Sequence, residues 1–465
     1  MTALVWFTRD LRVHDNPALC AAVDGEDRLV PVFCLDDRLL SGRNASGPRT
    51  QFMLESLAEL DSELRERGSR LVIRRGAPER ELIALAREVG AGRVFVSADV
   101  SPFATRRAER VSRALAEAGV KLRPQPGLFV VDGLDSIETV NGGPYTVFTP
   151  FSRTWRAGPR RELAPTPRAL PVFPRGLDAG QIPTRSQDIG LSQTVEDPAR
   201  GGEHAGRQAM HAFLRTAVSE YDDRRDDLGV ERCSRLSPYL HFGCVSPREL
   251  ESKLPRGAGA ESYRRQLCWR DFFAQVLLNF PANARSEHQR RYRGSIRWSR
   301  AEKRFEAWCA GRTGFPLVDA GMRQLAREGW MHNRARLVVG SFLTKDLAID
   351  WRWGERHFMR LLLDGDEASN NGNWQWIASV GVDSQPVYRR ILSPARQQER
   401  FDPQGEYVRR YVPELRDVPD KYLAEPGEMP GSVQREAACV IGEDYPAPIV
   451  DHAAARREAL ERYRV

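Results

Sequence analysis

The chain has 465 residues, 41% hydrophobic and 29% charged, with a formal net charge of +7. That length buries a core and suits two domains, the composition excludes a disordered chain, and no apolar run approaches the ~20 residues of a membrane-spanning helix. Seven unevenly spaced cysteines without a CxxC pair fit reduced thiols and a cytoplasmic location, and the basic balance suits a polyanionic partner, although an arginine-rich genome gives the same bias.

The N-terminus, MTALVWFTRDLRVHDNPAL, sets a short apolar run before charges and reads as a first strand and its loop, not a secretory signal. Over residues 1–130, apolar runs at 3–7, 29–34, 70–73 and 93–96 read as strands. Stretches 49–67, 78–89 and 104–118 carry apolar residues at three- and four-residue spacing and read as helices. The alternation predicts an α/β domain with a Rossmann-like parallel sheet covered on both faces. No GxGxxG follows the first strand, so the likeness is one of layout.

Residues 131–204 read as a linker: prolines accumulate between 157 and 203, and periodicity fades. From 205 to 465 strand signals nearly vanish, and helical patterns at 208–220, 263–279, 301–310, 317–328 and 334–348 predict an all-α domain. Eight of the ten tryptophans lie beyond position 260, where packing is the usual role of any single one.

Within the helical half, Tyr221 sits in a charged segment ahead of Cys233-Ser234-Arg235-Leu236-Ser237-Pro238. That loop either holds phosphate on its backbone N–H groups or is an ordinary serine cap with proline at the first helical position. Taken alone it reads as the cap. Gln266, Trp269 and Arg270 share one helix face, as do Asn333, Arg336 and Leu337, with Arg334 about a hundred degrees away. A buried Arg336 calls for a carboxylate such as Asp364. His332 reads as a packing residue. The densest segment is DGDEASNNGNWQW, residues 364–376: carboxylates, adjacent amides and two indoles suit a polar, redox-active ring.

Taken together, WFTRDLRVHDNPAL, PYTVFTPFSRTW, SRLSPYLHFG, CWRDFF, GFPLVDAGMRQL, GWMHNRARL, SFLTKDLAIDWRWGERHF, the 364–376 box and RFDPQGEYVRRYVPELRDVP resemble, in order and nearly full length, the DNA photolyase/cryptochrome family, specifically class I photolyases of cyclobutane pyrimidine dimers. The resemblance implies FAD, active as FADH⁻, inside the helical domain. Tyr221 and Ser234, Arg235, Leu236 and Ser237 would hold its phosphates, and Gln266, Arg270, Asn333, Arg336, Asp364, Asp366 and Asn370 would complete the flavin site. Asn370 would face flavin N5, where plant cryptochromes carry Asp and animal ones Cys. Trp374, Trp351 and Trp298 match the electron-hopping chain. Gln266, Trp269, Asn333, Arg334, Leu337 and Trp376 match the lesion pocket, with Arg390 holding flanking phosphate.

Cys34, Arg49 and Asp99 resemble the antenna site of members that bind 8-hydroxy-5-deazaflavin; 5,10-methenyltetrahydrofolate is the alternative. The implied partner is UV-damaged DNA, single- or double-stranded, bound by a monomer without metal, membrane or obligate protein partner. Four positions depart from the class I pattern: Gln266 for Glu, Leu337 for Met, Cys233 for Thr and Ser393 for Asn. Gln266 also occurs in (6-4) photolyases, but those have His in place of Asn333 and lack Trp376. A signalling cryptochrome is the rival from another class, and the short stretch after the last family-like segment predicts no signalling tail. A generic electron-transfer flavoprotein explains neither Trp269 nor Trp376.

Overall fold

The computed structural model describes residues 1–230, 232–383 and 385–464. Strands β1 (Thr2–Phe7), β2 (Arg28–Leu35), β3 (Val72–Arg75), β4 (Ala91–Ser97) and β5 (Lys121–Gln125) form one parallel sheet of order β3-β2-β1-β4-β5. Helices α1 (Pro17–Gly25), α2 (Gly47–Glu66), α3 (Pro78–Val89) and α4 (Pro102–Glu117) connect the strands. Along β1, Ala3, Val5 and Phe7 enter one core while Leu4 and Trp6 enter the other, as a parallel strand covered on both sides requires. Strand order reverses between β1 and β4, and a crevice opens at their C-terminal ends, where open α/β sheets bind ligands.

Two elements of the first half differ from the sequence pattern. The edge strand β5 is exposed or half-exposed throughout, so no apolar run marks it. Helix α1 replaces the expected loop: Asn16 accepts from Leu19 N and Pro17 fills the first turn, a start signal present in HDNPAL.

The second half is helical: α5 (Phe148–Ala157), inside the stretch read as linker, then α6 (Glu203–Thr216), α7 (Ala258–Asn279), α8 (Pro316–Glu328), α9 (Asn333–Ser341), α10 (Trp351–Leu361) and α11 (Glu367–Ile377). A π-helical turn, Phe342–Asp346, follows α9 directly. Glycine is needed where α11 meets its neighbours: a Cβ at Gly354 would strike the Trp374 ring, and one at Gly372 the Phe273 ring. Among the described residues no helix is long and apolar enough to cross a membrane.

One buried cluster runs from Ala3 and Phe7 on the sheet through Phe52 and Leu60 of α2 to Tyr239, Phe242, Leu267 and Phe272 of the helical half. A second fills the remaining helices around Trp308, Trp351 and Trp374. The loop of residues 8–16 after β1 sits in the seam. Leu11 N donates to Phe242 O (3.0 Å), Arg12 reaches Gly243 O (2.9 Å) and Gly127 O (2.8 Å), and Val13 N and His14 N donate to Glu203 (2.7 and 3.1 Å).

Asp271 fastens the connecting segment to α7. Its Oδ2 accepts from Val130 N (3.1 Å), Val131 N (3.4 Å) and Trp155 Nε1 (2.9 Å), all in buried surroundings. Removing such an acceptor strands its donors at roughly 1–3 kcal/mol each. We therefore expect Asp271→Leu to destabilise the fold by on the order of 3 kcal/mol in urea unfolding, and Asp271→Asn, which keeps an acceptor oxygen, by clearly less. Equal losses would show that these hydrogen bonds contribute nothing specific.

Candidate functional site

A cavity opens between α7, α9, α11 and the loop before residue 237. Tyr221, Ser234, Arg235, Leu236 and Ser237 line one end. Gln266, Arg270, Asn333, Arg336, Asp364, Asp366 and Asn370 line the rest, together with Leu337 and Trp374. The residues expected around the cofactor thus share one enclosure, although they come from segments far apart in the chain.

At the polar end, Arg336 meets Asp364 through two hydrogen bonds (3.2 and 2.8 Å), and its Nε donates to Met331 O (2.8 Å). The fork fixes both groups, as bidentate pairing does. Asp366 caps α11, accepting from Ser369 N (2.8 Å), and also accepts from Arg9 Nη1 (3.0 Å). Burial alone would raise its pKa, but the charges of Arg9 and Arg270 outweigh that and hold Asp366 well below the usual carboxylate range. His241 lies 4.0 Å from Asp366, and burial pushes it down to about 3, leaving a neutral ring.

Behind Asn370 stands a carboxyl in the opposite condition. The Asn370 amide nitrogen donates to Glu355 O (3.1 Å). The Glu355 side chain is buried, with Arg43 distant at 3.9 Å, and desolvation pushes its pKa up to about 7. At the other end, Arg235 takes a left-handed φ of 51°, Ser234 Oγ lies 2.9 Å from Tyr263 OH, and Trp330 Nε1 donates to Ser237 Oγ (3.2 Å).

Trp374 is 3% exposed, and its indole N–H has no hydrogen-bond partner. Its ring stands edge-on to Phe358 (5.0 Å) and Trp308 (6.3 Å). Trp351 opens α10 and donates to Glu287 (3.4 Å). Trp298 is brought beside the α10 start by the bridge between Ser299 and Ile349, and its ring meets Tyr463 at 6.3 Å. All three indoles belong to the second core or pack on it.

Of the residues expected to meet DNA, Gln266, Asn333 and Leu337 line the cavity, whereas Trp269, Arg334, Trp376 and Arg390 stand outside its lining. Trp269 lies flat on Phe148, centroids 3.6 Å apart and planes 3° from parallel. Trp376 donates its N–H to Asp383 (3.2 Å). Arg334 pairs with Asp226 (2.8 Å) and lies over Phe401. Arg390 departs from expectation. It is 2% exposed, pairs with Asp383 (2.7 Å) and covers the Trp376 ring at 4.2 Å. Its charge braces Trp376 instead of facing solvent, so it does not present itself to a phosphate.

Cys34, Arg49 and Asp99 line a second cavity, about 870 Å³, at the ends of β1 and β4. Burial pushes the Cys34 thiol up to about 12, so it stays protonated. The Arg49 guanidinium is engaged by Met359 O (2.6 Å), Leu362 O (3.3 Å) and Asn44 O, and a Cβ at Gly365 would collide with it. Asp99 is gripped by Arg9. Arg107, over Trp6 at 5.0 Å, also lines this cavity, and its buried Nε has no partner. Sequence reasoning missed Arg9, Arg107, His241, Tyr263, Trp330 and Glu355. Arg9 and His241 lie inside quoted motifs, but nothing local tells that they reach residue 366.

Residues 3–171 match the family described as DNA photolyase, and residues 263–465 match the FAD binding domain of DNA photolyase. A Streptomyces griseus protein named deoxyribodipyrimidine photo-lyase is 44% identical over 99% of both chains. The crystal structure of a class III photolyase from Agrobacterium tumefaciens superposes with a TM-score of 0.93 at 35% identity, covering 99% of this chain and 97% of that one. Its class differs from the class I pattern that the motifs resemble; the family is common to both. An archaeal photolyase from Sulfolobus tokodaii with two FAD molecules has a TM-score of 0.85 at 33% identity, covering 100% and 99%. At 36% identity the names diversify, to a (6-4)DNA photolyase of Oryza sativa (98% and 88% covered) and a Cryptochrome DASH of Natronomonas pharaonis (97% and 98%).

The Glu355 carboxyl yields a pH test. Folded, it keeps its proton until about pH 7; its ordinary value is 4.5. The stability it contributes is therefore full below pH 4.5 and is lost as pH rises through 7. Glu355→Gln should remove that loss. The stability of the variant relative to the parent should rise by up to about 3 kcal/mol between acid and neutral pH, read from urea unfolding across the range. A pH-independent difference would mean that Glu355 is ionised throughout.

Proposed function

We propose that this chain, which belongs to the photolyase/cryptochrome family, repairs cyclobutane pyrimidine dimers in DNA by light-driven electron transfer from reduced FAD. The observation that carries the reading is the joining of two kinds of residue in one cavity. Arg336–Asp364, Asp366 and Asn370 offer a polar edge suited to an isoalloxazine ring, while Gln266, Asn333 and Leu337 offer amides and apolar surface suited to two fused pyrimidines. When bound and reduced, FAD supplies the photoexcited electron that opens the cyclobutane ring and takes it back afterwards.

The chain's own residues do the rest. Asp366, held ionised, accepts hydrogen bonds from a ring edge, and the Arg336–Asp364 fork keeps the neighbouring wall rigid. Asn370 presents a neutral amide, anchored through Glu355 O, that serves more than one redox form. Tyr221 and the turn from Ser234 to Ser237 receive the diphosphate side. A dimer reaches this depth when it is flipped from the stack, as photolyase substrates are; Trp269, backed by Phe148, and Trp376, braced by Arg390, offer flat surface near the mouth. Trp374 lines the cavity and would pass an electron to the bound flavin, with Trp351 and Trp298, outside the lining, supplying it in turn.

The second cavity is the antenna site in this reading, taking 8-hydroxy-5-deazaflavin, with a folate or a second flavin as alternatives. Asn333 and Trp376 favour the dimer over the (6-4) lesion. The protein acts as a cytoplasmic monomer on damaged DNA.

Reduced protein under near-UV or blue light should reverse thymine dimers and leave (6-4) lesions intact; the opposite preference in one assay sinks this reading. Trp374→Phe should abolish photoreduction of oxidised flavin while protein reduced beforehand still repairs, and unimpaired photoreduction would remove Trp374 from the path. Gln266→Glu should raise repair yield or lesion affinity, and no change in either would leave that departure without consequence.

A further inference from the structure

Arg9 lines the second cavity and reaches the wall that both cavities share. Its Nε and Nη2 hold Asp99 at 2.6 and 2.8 Å, and its Nη1 holds Asp366 at 3.0 Å. Arg9 and Asp99 line the second cavity, and Asp366 lines both. The side chains of Arg9, Asp99 and Asp366 expose 16%, 9% and 21% of their surface. Arg270, the next cation along, directs Nη1 and Nη2 to Leu128 O (2.8 Å) and Leu240 O (3.3 Å). One guanidinium is thus divided between two carboxylates in poorly solvated surroundings, where a charge at one end is felt at the other.

We propose that Arg9 is a positioning residue through which the α/β half sets the redox environment of the flavin: what Asp99 takes of its charge is withheld from Asp366. The inference rests on the flavin reading of the first cavity. A ligand in the second cavity that donates a hydrogen bond to Asp99 frees Arg9 toward Asp366, so occupancy of one site reaches the other without any movement of the backbone. The effect has a sign. Positive charge near the ring favours its reduced, anionic form, and negative charge opposes it.

The alternative is a clasp that merely ties the halves together, and opposed charge changes separate the two. In flavin-loaded protein, Asp99→Asn removes an anion competing for Arg9 and should move the flavin midpoint potential upward. Arg9→Met removes the cation and should move it downward. Arg9→Lys keeps the charge but lacks the fork, and should fall between the parent and Arg9→Met. Spectroelectrochemical titration of the bound flavin reads all three. A clasp would lower the melting temperature of both charge variants and leave the potential unmoved, or move it the same way in both, and either result overturns the proposal. Should Arg9→Met fail to fold, an unshifted potential in Asp99→Asn alone overturns it. Flavin released by heating and measured by absorbance keeps the readings apart: parent protein without flavin fails the cavity assignment, whereas flavin-loaded variants with unchanged potential fail this inference.

Discussion

The loop of residues 8–16 is the constraint on which the arrangement rests. It carries Arg9, Asp10, Arg12 and Asp15 into the seam between the sheet and the helices, and buried polar groups are tolerated there when each finds a partner. The Arg12 guanidinium is met by backbone carbonyls of His14, Asp15, Gly127 and Gly243. Asp10 takes Ser97 Oγ (2.6 Å) at the end of β4, Asp15 takes Arg161 and Ser246, and Glu203 accepts the loop's amides. These bonds reach the sheet, the connecting segment and the first helices of the second half, and Arg9 adds Asp366 of α11. Once they form, the crevice at the end of β1 and β4 must face α11, and the two cavities come to share His241 and Asp366 as a wall.

That wall shows how little residue type alone decides. Asp366 and Glu367 are neighbours in the sequence, and Glu355 lies one helix away, yet their charge states diverge. Asp366 keeps its charge because Arg9 and a helix N-terminal amide face it. Burial outweighs the charges of Arg43 and Arg356 at Glu355 and raises its pKa, and burial likewise raises that of Glu367, beside the Asp366 charge. An anion held at one edge of the cavity and carboxyls with raised pKa behind it give the site a polarity set by which carboxyl meets a guanidinium.

Much of this was legible in the sequence where chemistry is local or motif-bound. The strand and helix alternation predicted the sheet, and the mixture of residues in 364–376 marked the cavity wall. Arg336 called for a carboxylate, and Asp364 answers it. Edge strand β5 was not legible because an exposed strand lacks an apolar run. Contacts across long stretches of chain were not legible either. Arg9 meets Asp366 across 357 positions, and Trp269 lies on Phe148 of a segment read as linker. Arg390 shows the converse: its motif suggested a phosphate contact, while here it pairs with Asp383 and lies over the Trp376 ring, its buried Nε without a partner.

The apolar cluster that joins one face of the sheet to Tyr239, Phe242 and Phe272 bears on how such a chain comes apart and how it can be altered. A half whose interior is completed by the other half is not a detachable module. Separating the halves would expose Phe52, Phe129 and Phe151 to water instead of freeing a folded fragment, so a nick in the proline-rich connector leaves the two pieces held together by their common core. Exchange of the α/β half between relatives is then limited less by its own ligand than by whether the incoming side chains interlock with a foreign core.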